Sequence, residues 1–115
     1  MLETCHPHAV FSIFEDYCAI PHPSRHTGAA TAFCLAFAEK HGLAAVSDAA
    51  GNVVIRKPAS PGYEDHPTVI LQGHLDMVAE KDPDCPIDME KEGLRLLLDG
   101  DLIGARGTTL GGDDG

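Results

Sequence analysis

The sequence predicts an α/β domain with helices packed on a sheet. Three observations carry this expectation. Two early stretches place apolar residues at helical spacing, the period then changes to short strand-like runs, and an Asp-Gly pair late in the chain sits between two apolar runs.

Residues 7–19 read as the first helix. Pro7 suits a first turn, and Val10, Phe11, Phe14, Tyr17 and Cys18 fall on one side. Pro21 and Pro23 stop it, making Ile20-Pro21-His22-Pro23-Ser24 a rigid connector. Residues 27–41 form the second, alanine-rich helix. Phe33 and Phe37 are one turn apart and are expected to stack, and Ala30 and Cys34 beside them allow close approach to a sheet. Lys40 and His41 suit the last turn, and Gly42 ends it.

Residues 43–46 and 52–56 are expected as two strands around a turn at Ala50-Gly51-Asn52. Residues 58–67 make a polar loop. Val69-Ile70-Leu71 is a continuous apolar run, as expected of a strand buried on both faces. A charged loop with Pro83 and Pro86 covers 80–93, and residues 94–98 and 101–105 flank the hairpin signal Asp99-Gly100. The glycine-rich stretch from Arg106 onward would ordinarily lead into a further helix, so the chain reads as a fragment.

A length of 115 residues fits one modest domain. Eight basic against 18 acidic residues give a formal charge of −10, which argues against nucleic acid or an anionic membrane as partner. No apolar stretch is long enough to span a bilayer, and the start lacks a signal-peptide pattern, so a cytoplasmic setting is expected. Cys5, Cys18, Cys34 and Cys85 include no Cys-x-x-Cys pair, which speaks against a structural zinc knuckle and for free, structural thiols.

Chemistry concentrates in two places. In Gln72-Gly73-His74-Leu75-Asp76 an extended backbone would send His74 and Asp76 to the same side, at the carboxyl end of a strand. A neutral imidazole is a good metal ligand, and a nearby carboxylate can orient it. Asp113 and Asp114, set among glycines, can approach a divalent ion, and one carboxylate can bridge two ions. Each pattern also has a plainer reading. His-x-Asp is short and fits a satisfied histidine with a turn aspartate, and Asp-Asp-Gly fits an acidic turn. His6 and His8 resemble a ligand pair but lie at an end expected to be mobile. His22 and His26 are read as packing, capping or surface residues, and His41 as a helix-end cation. His66 falls in a loop, and Asp82, Asp84, Asp88, Glu90 and Glu92 form a solvated loop face.

From Phe11 to the end the chain resembles the aminoacyl-histidine dipeptidases of metallopeptidase family M20. The resemblance rests on Ile20-Pro21-His22-Pro23-Ser24, on Gly51-Asn52 with Ile55-Arg56-Lys57-Pro58, on His74-Leu75-Asp76-Met77-Val78, and on Ala105-Arg106-Gly107-Thr108-Thr109-Leu110-Gly111. His-Leu-Asp occurs throughout M20; Met77-Val78 and the Gly-Thr-Thr-Leu-Gly segment are more specific to this branch. The branch usually reads Gly-Ala-Asp-Asn-Gly where this chain has Gly111-Gly112-Asp113-Asp114-Gly115.

The resemblance implies that residues 1–115 are the N-terminal portion of a zinc-peptidase-like α/β/α catalytic domain with a mixed sheet, without the lid or dimerisation domain. It implies His74 as a metal ligand, Asp76 as the catalytic aspartate orienting it, and Asp113 as the carboxylate bridging two metals, with a cis bond after Asp113. The cofactors would be two divalent ions, zinc first and cobalt or manganese as alternatives. The substrate would be a small peptide of the Xaa-His or β-alanyl-histidine type, and the complete protein a homodimer. The general-base glutamate and remaining ligands would lie beyond residue 115, leaving these residues alone inactive. Two other readings stay open: another M20 hydrolase, either a tripeptidase or an amidohydrolase acting on N-acyl amino acids, and a non-catalytic binding domain.

Overall fold

The computed structural model describes residues 1–111. Helix α1 (His8–Cys18) and helix α2 (Gly28–Lys40) come first, followed by strands β1 (Ala44–Ser47), β2 (Val53–Arg56), β3 (Leu96–Asp99) and β4 (Leu102–Ala105). The predicted α/β class and both predicted helices are present. Among the described residues the strands form two separate antiparallel pairs, β1–β2 and β3–β4. One isolated parallel bridge joins Pro23 to Met77, and an antiparallel one joins Lys81 to Thr108.

Helix α1 is amphipathic, and its inner side is the predicted one: Tyr17 and Cys18 are buried, and Phe11 and Phe14 are half-buried. Val10 is exposed. Cys18 packs with Leu2 and Leu96, so α1 covers the β3–β4 hairpin. The N–H of Leu94 donates to the Cys18 carbonyl at 2.8 Å, satisfying one of the acceptors a helix end leaves open. The start of the chain, expected to be mobile, is instead anchored. Leu2 is fully buried, and its N–H donates to Glu15 Oε2 at 3.0 Å. The Met1 ammonium lies 2.8 Å from Glu15 Oε1.

Helix α2 ends as its sequence dictates. Gly42 adopts φ 65°, the left-handed conformation that glycine takes without a steric cost. Leu43 N–H then reaches the Ala38 carbonyl at 2.8 Å and Gly42 N–H the Glu39 carbonyl at 3.0 Å, closing the helix with two carbonyls satisfied. Ala30 and Ala38 are fully buried. The helix packs on β1 and β2, and Thr31 Oγ1 donates to the Gly51 carbonyl at 2.8 Å. The aromatic rings find partners other than each other: Phe33 meets Tyr17 edge-on, and Phe37 lies against His41.

The β1–β2 turn is held by Asp48, whose Oδ1 accepts the N–H groups of Ala50 and Asn52, both at 2.9 Å. The β3–β4 hairpin closes as the Asp99-Gly100 pair predicts, with Asp99 opposite Leu102 and Gly100 at φ 60°. A second small core joins Met77, Ile87 and Met89.

The expectation for Val69-Ile70-Leu71 fails. These residues form no strand and are 80%, 84% and 92% exposed. A strand needs ladder partners on its flanks and packing on its faces, and no described segment supplies either to this run. The radius of gyration is 16.0 Å. It exceeds the roughly 13 Å of a compact domain of similar size.

Candidate functional site

The site is built where the proline-flanked connector runs beside the segment that follows Val69-Ile70-Leu71. Prolines restrict their neighbours to extended backbone, so residues 20–24 cannot coil into helix. They pair instead: Met77 N–H donates to the His22 carbonyl and Ser24 N–H to the Met77 carbonyl, each at 3.0 Å. Arg25, at φ 73°, turns the chain sharply away immediately after Ser24. On the other side Tyr17 donates its hydroxyl to the Leu75 carbonyl at 2.7 Å. Residues 75–77 are thus held by α1 and by the connector.

On this clamped backbone His74 and Asp76 meet as the two-residue spacing requires, with Nδ1 2.9 Å from Oδ1. The carboxylate can only accept, so Nδ1 donates, and a neutral ring then carries its lone pair on Nε2. The second carboxylate oxygen, Oδ2, accepts the Ser24 hydroxyl at 2.6 Å. The Ser24 hydroxyl, and after it the His74 ring, hold the Asp76 carboxyl below the usual carboxylate range. A cavity of about 610 Å³ opens beside the pair, lined among others by Arg25, Asn52, Gln72, His74 and Asp76.

This arrangement suits orienting an imidazole toward an electrophile. It does not suit a nucleophilic serine. A serine nucleophile needs its hydroxyl on the imidazole, whereas here the hydroxyl and the imidazole are both held by the same carboxylate.

Asp113, Asp114 and the bond between them lie outside the described residues. Among the described residues no group of three or more His, Cys, Asp or Glu side chains could hold a metal ion. The donor chemistry of His74 with Asp76 fits part of a metal site: a borderline nitrogen ligand whose other ring nitrogen is fixed by a carboxylate.

The other histidines lie elsewhere. His22 is fully buried, its ring tilted at 43° to the Tyr17 ring with centroids 4.6 Å apart, and its Nδ1 donates to the Ile20 carbonyl at 2.9 Å. Its Nε2 is buried without a hydrogen-bond partner. His26 is exposed, 3.8 Å from Glu90. The four cysteines are free thiols, with Cys18 buried, and burial raises the pKa of Cys34. Ser24 is the functional-looking residue that pattern reading passed over. The prolines around it gave a signal, since they force an extended segment, which pairs with Met77 just after Asp76.

No family model matches the chain. Over 109 residues, 95% of its length, it is 41% identical to the cytosol non-specific dipeptidase of Escherichia coli strain K12. It also matches the crystal structure of an aminoacylhistidine dipeptidase from Vibrio alginolyticus with a TM-score of 0.91 and 38% identity, over 98% of its length. The chain is homologous to a stretch of these dipeptidases. That stretch is short: it spans 22% of the Escherichia coli dipeptidase and 23% of the Vibrio chain. The partial α/β architecture of the chain matches part of the Vibrio alginolyticus structure. Among the described residues no helix is long and apolar enough to cross a membrane.

Proposed function

We propose that this chain supplies part of a dinuclear metal site, in an M20-type catalytic domain, to a polypeptide of its relatives' length that hydrolyses dipeptides. The carrying observation is the His74–Asp76 contact of 2.9 Å, set on a backbone homologous to dipeptidases. His74 would hold one ion through Nε2, Asp76 would fix the ring in the tautomer that ligation needs, and Asp113 would bridge the two ions. When bound, two divalent ions, zinc first and cobalt or manganese as alternatives, supply Lewis acidity to the scissile carbonyl and acidity to a water.

The protein's own groups position rather than react. Asp76 stays ionised because its two oxygens accept hydrogen bonds, so it can hold the neutral His74 ring in the Nδ1–H form that a metal ligand would need. The cavity beside the pair offers the substrate a polar approach through Arg25, Asn52 and Gln72. A glutamate beyond residue 115 would move the proton, so residues 1–115 alone are expected to bind metal weakly and to show no turnover. The substrate class is a small dipeptide of the Xaa-His or β-alanyl-histidine type, in keeping with the Vibrio relative's name, and the setting is cytoplasmic, in keeping with that of the Escherichia coli relative. A homodimer is the proposed state of the complete protein.

The test is an assay of the polypeptide that contains this chain in its source cell. Hydrolysis of β-alanyl-histidine and of unrelated dipeptides is measured before chelation, after chelation, and after return of zinc, cobalt or manganese. Activity lost on chelation, restored by metal and abolished by His74→Ala is expected. Dipeptide hydrolysis indifferent to both chelation and His74→Ala would reject the reading.

A further inference from the structure

We propose that Ser24 is a positioning residue that sets the tautomer of His74 through Asp76. The idea deepens the metal-site reading above and depends on it only for its purpose, since the contacts stand by themselves. A carboxylate on a single Cβ rotates about its last bond unless both oxygens are occupied. Here they are divided. Oδ2 takes the Ser24 hydroxyl at 2.6 Å and Oδ1 takes His74 Nδ1 at 2.9 Å.

Ser24 can do this because its own backbone is fixed. Its N–H is bound to the Met77 carbonyl at 3.0 Å, the parallel bridge between Pro23 and Met77 adjoins it, and Arg25 bends the chain away at φ 73°. The hydroxyl also lies 3.2 Å from the Met77 carbonyl, a longer and weaker second acceptor. The short bond is to an ionised group and dominates. With Oδ2 held, the plane of the carboxylate is set and Oδ1 faces the imidazole. Which ring nitrogen carries the proton follows from the partner the other one has. Ser24 thus acts on the ligating nitrogen through the single intervening residue Asp76, without touching the imidazole.

The experiment is nitrogen-15 NMR of the His74 ring in the 115-residue protein at neutral pH without metal, comparing wild type with Ser24→Ala, Ser24→Gly and Ser24→Thr. Ser24 is exposed, so removal of its hydroxyl leaves no cavity, and backbone amide spectra check that each variant keeps the fold. Wild type and Ser24→Thr are expected to hold the Nδ1–H tautomer. Ser24→Ala and Ser24→Gly are expected to shift the tautomer ratio toward Nε2–H by about 2- to 10-fold, the equilibrium effect of one lost hydrogen bond. A wild-type ratio in both Ala and Gly variants overturns the proposal, and so does loss of the ratio in the Thr variant alongside the others. Zinc added afterwards separates the two claims. A ratio that depends on Ser24, with a ring that ignores zinc, keeps the positioning role and removes the metal reading.

Discussion

Gly111 sits so close to His22 that a Cβ built on it would stand 2.8 Å from Nε2, and at the same distance from the Met77 Cβ. The Gly111 carbonyl also accepts from Cys18 Sγ at 3.4 Å. The segment leading to Asp113 is therefore seated against the connector and the residue after Asp76, and the absence of a side chain is what lets it sit there.

Gly111→Ala must displace either the buried His22 ring or Met77. Overpacking of this kind costs about 1–3 kcal/mol. Urea denaturation is expected to show a loss in that range. His22→Ala in the same background opens the space and is expected to recover part of the loss. Additive losses in the double variant would mean that the two residues do not share the space.

Glycine plays two different parts elsewhere, which a paired experiment separates. A Cβ at Gly93 would collide with the Ala19 backbone, standing 2.7 Å from its Cα, whereas one at Gly100 would meet nothing within 4 Å. At Gly100 only the conformation, φ 60°, opposes a side chain. Gly100→Ala is expected to cost about 1–2 kcal/mol. Gly93→Ala is expected to cost more, because the backbone carrying the Leu94–Cys18 hydrogen bond must move. Equal costs in denaturation would contradict the close approach.

The turn between β1 and β2 is expected to respond to acid. Asn52 lowers the pKa of Asp48, first through its side-chain hydrogen bond and then through its N–H. A depressed folded value means the carboxylate stabilises the turn above the unfolded carboxylate pKa, near 3.9. That contribution is lost as pH falls through the lower folded value. Protection of the Ala50 and Asn52 amides relative to their intrinsic exchange should fall in that acid window, and Asp48→Ala should remove that fall while lowering protection at neutral pH. A variant with wild-type acid behaviour would show that another group anchors the turn.

Much of the local structure could be read from residue patterns because its causes are local. Both helices follow from apolar spacing and Gly42, and both hairpins from their turn residues. His74 and Asp76 meet because two-residue spacing on extended backbone sends them the same way. Three features depended on non-local contacts and were missed. Ser24 reaches Asp76 only because the connector pairs across 53 residues of sequence with Met77. The start of the chain is anchored by Glu15, which its own composition does not reveal. Val69-Ile70-Leu71 has the composition of a buried strand, but a strand is made by its neighbours, and none of the described segments flanks it.

The central claim is that His74, oriented by Asp76, is a metal ligand. It is tested most directly by titrating zinc into the 115-residue protein while following the ring nitrogens of all seven histidines. The account predicts a weak, saturable shift at His74 Nε2 that Asp76→Ala diminishes. Zinc binding confined to His6, His8 or other histidines, with the His74 ring unmoved, would contradict it.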